Sequence, residues 1–411
     1  MTVPYLCLVV LAALGYLILW KEGLLRRKSA LFLSAALLLA VMALRGALLE
    51  HETLDYQTFL HAWVEDFRQA GGFPGLRMDV WDFSVACNYN VPYLYFLAAF
   101  TYLPVRDLYL IKLLSCLFDL LLAWGTLRLV SRFRKGDFAR LLSFFLSLLL
   151  PTVLLNGAYW GQCDSIYGAL AVWSLVFALE DKPIRSVLAA ALSFAFKLQA
   201  VFLLPVYLVF LFARKVKWWQ LLFFPLGYLA AVAPAVALGR PWKETLLLYF
   251  SQAGSVGSGL NYNSSSVYAL LPADGNQVEL ARLGVLAAFC FLLVLYVLCY
   301  VRRKRLNDRA LLEIAVLICV AVPYLLPHMH DRYFFLADVL TLALAVVSPW
   351  LFPVPIAVSF ASLLGYHAYL KMQYLLPMRY GAIALAAVAA LLLLDLLYVL
   401  FRRQAKENLP R

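Results

Sequence analysis

Charge is scarce in this chain. Asp, Glu, Lys and Arg make up 14% of its 411 residues, while 64% are hydrophobic. A soluble domain sits near a quarter charged and half apolar, so a soluble fold is excluded. Sustained polar–apolar alternation is also missing, which excludes a membrane β-barrel. The seven cysteines form no Cys-x-x-Cys pair, and neither HExxH nor an EF-hand pattern occurs; the sequence carries no signature of a metal site. The Gly/Ser-rich stretch "SQAGSVGSGLNYNSSSVY" lacks a lysine and follows no strand, so it is not a phosphate-binding P-loop. No internal repeat is visible. Acids are fewer than bases, giving a net charge of +12. The positives sit in short loops between apolar runs, which reads as membrane topology rather than nucleic-acid binding.

What is present is apolar sequence in lengths that span a bilayer as helix, as at 2–20, 30–49, 222–238 and 380–401. The chain reads as an all-α polytopic membrane protein, one multi-spanning domain over 1–411. The first segment is followed, not preceded, by basic residues (Lys21, Arg26, Arg27, Lys28), the layout of a retained helix rather than a cleaved signal. Basic clusters at 21–28, 132–140, 182–185, 214–217, 302–309 and 402–411, placed in the cytoplasm, close the parity on about thirteen spans, N-terminus out and C-terminus in. The spans are expected at 2–20, 29–48, 108–131, 141–157, 166–180, 185–197, 199–213, 218–238, 284–301, 309–326, 333–348, 349–366 and 380–401. The pair 185–197 and 199–213 is short and reads as a broken pair buried in protein. Loops 50–106 and 240–283 are then external. The first is expected to carry surface helices at 56–70 and near 92–102; the second reads as flexible. Cys87 and Cys163 fall on the same side, with free thiols expected over a disulfide.

Unusual polar residues collect on that external face. They come from "EHETLDYQTFLHAW", "ACNYNVPY", "NGAYWGQCDS", "FKLQA" and "LLPHMHDRYFF". Each has a plain structural reading beside a functional one. Asp55 and Asp164 each stand at the start of a helical pattern and read equally as caps. Lys197 can snorkel, and Asp331 with Arg332 can form a structural ion pair. Charges at a membrane edge nonetheless point to function. Deeper in the spans, Asp119, Asp338 and Asp395 each need a donor, because an unpaired charge at the bilayer centre costs about 2.5–3.5 kcal/mol.

The cluster holds a carboxylate to act as base, cations to hold a phosphate (Arg332, Lys197, His330), and aromatic, amide and acidic groups to hold a sugar (Tyr89, Asn90, Asn156, Trp160, Gln162, Asp164, Gln199, Asp331). A substrate with lipid tail, phosphate and sugar uses all of these. The matching reaction is glycosyl transfer from a polyprenyl-phosphate sugar to an acceptor hydroxyl. A transporter or flippase for a lipid-linked sugar is the alternative, although repeats and midplane sites are its usual marks.

Four pieces carry a resemblance: "LDYQTFLHAWVEDFRQAGGFPGL", "CNYNVPYLYFLAAFTYLP", "NGAYWGQCDSIYGAL" with "FAFKLQAVFLLPVYL", and "PHMHDRYFFLAD". Together the chain resembles the GT-C superfamily of multi-spanning glycosyltransferases, most closely the bacterial relatives of the second mannosyltransferase of GPI-anchor assembly. The resemblance implies a GT-C-like bundle and an acid in the first large external loop as catalytic base, matched here by Asp55. It implies that Lys197, His330 and Arg332 lie near the lipid phosphate. It also implies metal-independent inversion without a cofactor, a polyprenyl-phosphate sugar donor (a mannose or other hexose) and a lipid- or glycan-linked acceptor, at the external face of the cell membrane. Related sequences often read Cys-Asp-Tyr-Asn-Pro-Pro in the second piece. Here Asn88 and Val91 replace the acid and a proline, so position 88 supplies no base. The first span is also extra to the simplest plan. His330 is expected to orient Asp55, and pairing with Arg332 to lower the proton affinity of Asp331.

Overall fold

The computed structural model describes residues 2–254, 259–271 and 276–402. The stretches 255–258 and 272–275 of the second loop, and most of the basic cluster 402–411, lie outside the described residues. The protein is an all-α bundle, with one two-residue strand pair its only sheet among the described residues. Each of the thirteen expected segments is a helix or a pair of helices. Seven are long and apolar enough to cross a membrane, or eight if the bent pair Asp137–Leu149 and Pro151–Trp160 counts as one span. The expected thirteen therefore includes shorter pieces. Asp164–Leu179, Pro183–Phe196, Leu198–Phe212 and Phe335–Val347 are apolar but fall short of a full crossing length. Polar breaks shorten them: Lys197 is extended (φ −155°, ψ 135°) between two helices, and Ser348 (φ −129°, ψ 87°) ends another.

Helix Asp107–Ser131 is the axis of the bundle. It contributes apolar side chains to three packed clusters. One is the main core of the later helices, one lies beneath the first loop, and one lies under the N-terminal hairpin Thr2–Leu48. Helix Gln277–Val301 is mostly exposed along its apolar length, the pattern of a lipid-facing span.

The charges inside the bundle are partnered. Arg45 donates to Asp119 Oδ2 at 2.9 Å, and Ser165 Oγ donates to Asp119 Oδ1 at 2.5 Å. Both Arg45 and Asp119 are fully buried, so this pair ties the hairpin to the axis helix. Lys112 does not pair with Asp119. Its Nζ donates to the carbonyls of Leu48, Leu49 and His51 at 2.6–3.2 Å, gripping the orphan carbonyls at the end of helix Lys28–Leu48. Arg309 donates to Asp395 at 2.7 Å, and Ser359 to Asp338 at 3.2 Å.

The first loop carries a widened turn Tyr56–Leu60 running into helix His61–Gln69, then helix Val91–Phe100. Tyr56, Trp63 and Phe67 are buried, packing the loop onto the bundle. The second loop is more ordered than its composition suggests. It holds helix Trp242–Gly254, and Asn261–Tyr262 pairs in parallel with Met329–His330. Gly365 allows the approach that locks this pair down: a side-chain carbon there would lie 2.5 Å from the Asn263 carbonyl and 3.1 Å from the Asp331 backbone. Cys87 and Cys163 are both buried and unbridged.

Candidate active site

The polar end of the bundle is shaped by a deliberate break. Pro151 cannot continue the hydrogen bonding of helix Asp137–Leu149, and the chain bends by 45° there. A widened turn Leu155–Trp160 follows, and Gly161 takes a left-handed conformation (φ +80°) that suits glycine. Helix Asp164–Leu179 then starts. The result turns Asn156, Trp160, Gln162 and Asp164 toward one another, all buried.

Asp55 lies against this turn. Its Oδ2 accepts from Trp160 Nε1 at 2.9 Å and Gln162 Nε2 at 2.6 Å, and its Oδ1 accepts from the Tyr369 hydroxyl. Thr53 Oγ1 donates to the Trp160 carbonyl at 3.0 Å, fastening the loop at the same place. Asp55 makes no capping hydrogen bond to its own helix. The carboxylate is held by side chains more than a hundred residues away.

Asp164 is the first residue of its helix, and Cys163 holds the cap position. The two oxygens of Asp164 accept from Lys197 Nζ at 2.5 Å and Asn156 Nδ2 at 2.6 Å. Extended backbone at Lys197 aims this lysine inward, instead of letting it snorkel. Arg332 lies with its guanidinium 4.7 Å from the centre of the Trp160 ring, and its Nε is 3.4 Å from Asp331 Oδ1. One of its outer nitrogens, Nη1, is buried with no hydrogen-bond partner, as is Oε1 of Gln199. A buried donor or acceptor without a protein partner calls for one from water or from a polar ligand group. Trp160 thus carries Asp55 on its edge and Arg332 on its face.

Two expectations for the 328–332 segment do not hold. His330 does not orient Asp55, whose partners are those named above. It stacks on Tyr262 instead, with rings 4.7 Å apart and 12° from parallel. Burial pushes its pKa down to about 4, helped by Arg332 and Lys197, so His330 is neutral. Nor does pairing hold Asp331 low. Burial outweighs Arg332, and with the nearby charge of Asp55 pushes it up to about 6. Among the proposed sugar contacts, the Tyr89 hydroxyl donates to Gln162 Oε1 at 3.0 Å and belongs to the cluster. Asn90 is a helix cap: its Oδ1 accepts from the Val91 amide at 2.8 Å and its Nδ2 donates to Tyr228 at 3.2 Å.

The sequence reading missed Tyr366 and Tyr369. Tyr366 accepts from Asn156 at 3.3 Å, and Tyr369 stacks on Trp160 at 5.0 Å while donating to Asp55. The signal was available, because the parity of the spans puts 367–379 on the same face as Asp55.

No curated protein matches the chain. Residues 88–327, more than half of the chain, match the model of glycosyltransferase family 87, and the protein belongs to that family of glycosyltransferases.

Proposed function

We propose that this membrane glycosyltransferase moves a hexose, mannose or a close relative, from a polyprenyl-phosphate donor to a hydroxyl of a lipid- or glycan-linked acceptor. The reaction runs at the external face, with Asp55 as base and inversion at the anomeric carbon. The observation that carries this reading is the indole of Trp160, bracketed by a carboxylate and a guanidinium. Base and phosphate clamp are thereby both positioned by one rigid side chain, the kind of fixed orientation that a single displacement uses.

Arg332 grips the donor phosphate through its fork, and Lys197 adds a point charge. Neutral His330 contributes a hydrogen bond and no charge. Gln162, Tyr89 and Asn156 face the sugar. The acceptor hydroxyl gives its proton to Asp55 as its oxygen attacks the anomeric carbon. The bond from that carbon to the phosphate oxygen breaks, and its electron pair leaves on the phosphate, where Arg332 and Lys197 stabilise it.

The test is turnover and donor binding with polyprenyl-phosphate sugars in detergent. Asp55→Asn should bind donor normally and lose about 10²–10⁴-fold in turnover, the usual worth of a positioned base. Glu52→Gln is the control, since Glu52 pairs outward with Arg106 and Gln57. Normal turnover in Asp55→Asn removes the assignment. Arg332→Lys keeps charge but loses the fork, and should weaken donor binding by about 1.5–3 kcal/mol; unchanged binding would reassign the phosphate site.

A further inference from the structure

A polar cavity lies at the other end of helix Asp107–Ser131. Its volume is about 420 Å³, within the roughly 300–1,000 Å³ range of small-molecule sites. Arg128 lines it, and about 24 Å of helix rise separate Arg128 from Lys112 beside Gly161 of the broken turn. The cavity is therefore not part of the Asp55 site. Four parts of the chain meet there: the end of helix Thr2–Lys21, the end of the axis helix, the start of helix Asp137–Leu149, and the turn before helix Pro183–Phe196.

The walls are held in place. Glu22 Oε1 accepts from Trp124 Nε1 at 2.8 Å, and Glu22 Oε2 lies 3.3 Å from Arg140 Nη2 and 3.5 Å from Arg128 Nη1. Arg140 Nε also donates to Ser131 Oγ at 2.9 Å. Glu180 takes Arg128 from the other side, together with Lys182 Nζ at 2.5 Å. The charges do not balance. Five cations (Arg128, Arg132, Lys135, Arg140 and Lys182) line the cavity against two carboxylates, Glu22 and Glu180. Just outside, Asp308 answers Arg132 at 2.7 Å but is shared with Lys215 at 3.1 Å, and the exposed Asp137 lies 3.8 Å from Arg140. Lys135 donates to the Ser131 carbonyl at 2.9 Å and forms no ion pair among the described residues. A fixed concave site with surplus guanidinium groups suits an anion with several acceptor oxygens, and phosphate matches the fork of Arg.

We propose that this cavity binds the phosphate of an anionic phospholipid headgroup, in the leaflet opposite the Asp55 site. Two observations favour a lipid over a free anion. Leu129, Val176 and Leu179, all buried, give the cavity an apolar side. Trp20 and Phe138, each two residues before a lining residue, are exposed, as aromatic side chains are at the headgroup level of a bilayer. The basic-loop count puts this end in the cytoplasm, the side whose leaflet carries anionic lipid, and basic pockets between spans there take such headgroups. The phosphate accepts from Arg132 and Lys135, while Arg128 and Arg140 stay with Glu22 and add their charge. A bound lipid then joins the N-terminal hairpin to the axis helix at the end away from Arg45 and Asp119.

Native mass spectrometry of the full-length protein in detergent tests it, with dioleoyl phosphatidylglycerol titrated beside dioleoyl phosphatidylcholine. The wild type should hold the glycerol lipid more tightly than the choline lipid. Arg132→Gln with Lys135→Gln should weaken binding of phosphatidylglycerol about 5- to 30-fold, the worth of two basic residues at an anionic surface, and leave phosphatidylcholine unaffected. Both positions are exposed, and the melting temperature without added lipid checks the fold. If the double variant melts lower, Lys135→Gln alone, which breaks no ion pair, should still weaken binding about fivefold. Arg303→Gln with Lys304→Gln removes two exposed basic residues outside the cavity and should bind as wild type. Equal loss in the two double variants overturns the proposal, because the basic face as a whole would then account for binding. Equal affinity for the two lipids also overturns it. Displacement of phosphatidylglycerol by inorganic phosphate would assign the cavity to a soluble anion instead.

Discussion

The indole nitrogen of Trp160 lies 2.9 Å from Oδ2 of Asp55, across 105 residues of sequence. The face of the same indole supports the guanidinium of Arg332 at 4.7 Å. One rigid side chain therefore fixes the distance between a carboxylate and a cation that come from opposite ends of the chain. Trp160→Phe keeps the face and loses the N–H. Donor binding should be retained, and turnover should fall about 10- to 150-fold, as expected for loss of one hydrogen bond to a charged group. Measuring the donor dissociation constant beside turnover separates the two. A variant that loses both equally would show that the ring only supports the fold.

His330 and Asp331 give the fold opposite responses to acid. His330 titrates near 4 in the fold, below its ordinary value near 6.5. Its stabilising effect is present above pH 6.5 and is lost as pH falls toward 4, at up to about 1.4 kcal/mol per unit. Asp331 titrates near 6, above its ordinary value near 3.9. Its contribution is full below pH 3.9 and is lost as pH rises through 6. The two oppose each other between pH 4 and 6. Thermal unfolding at pH 7 and pH 5 should show Asp331→Asn losing more stability on acidification than wild type, and His330→Phe losing less. The reverse order would contradict the burial of both groups.

Arg45 and Asp119 form a buried pair between the N-terminal hairpin and the axis helix. Arg45→Met leaves a buried carboxylate without its cation and should cost about 3–5 kcal/mol. Arg45→Met with Asp119→Leu removes both charges and should recover most of the loss. Melting temperatures in detergent measure both. If the double variant is no better than the single, the pair is not the source of the coupling.

The basic-loop count puts loop 50–106 outside and 132–140 inside. A single cysteine at Ser84, an exposed position, should react with an impermeant maleimide on intact cells. One at Asp137 should react only after the membrane is opened. Labelling of both positions from outside would remove the external assignment of the site.

Much of the site was legible because its members are costly at a membrane edge. Asp164, Lys197 and Arg332 each stand out in an apolar context, and one parity argument puts them on one face. Tyr369 was not legible in this way. It is one of 24 tyrosines, and only the packing of helix Pro353–Leu370 against the broken turn selects it. Arg45 was hidden for a related reason: in the last turn of helix Lys28–Leu48 it reads as an ordinary terminal base, and its burial depends on a partner 74 residues away. Of the thirteen expected segments, seven or eight have full crossing length, and hydropathy does not show where Lys197 and Ser348 cut others short. His330 misled because its partner, Tyr262, is brought by a two-residue strand in a stretch that reads as loop.

Helix Lys28–Leu48 has 21 residues, about 31 Å of rise, close to the roughly 30 Å hydrocarbon thickness of a bilayer. Basic residues anchor its first end, and Lys112 clamps its last carbonyls just before His51 and Asp55. The helix is in effect a ruler laid across the membrane with the candidate base at its far mark. In a thinner bilayer such a helix tilts, and the tilt would load the bonds that tie it to the bundle, Arg45 to Asp119 and Asp55 to Trp160. Turnover is therefore expected to vary with lipid chain length.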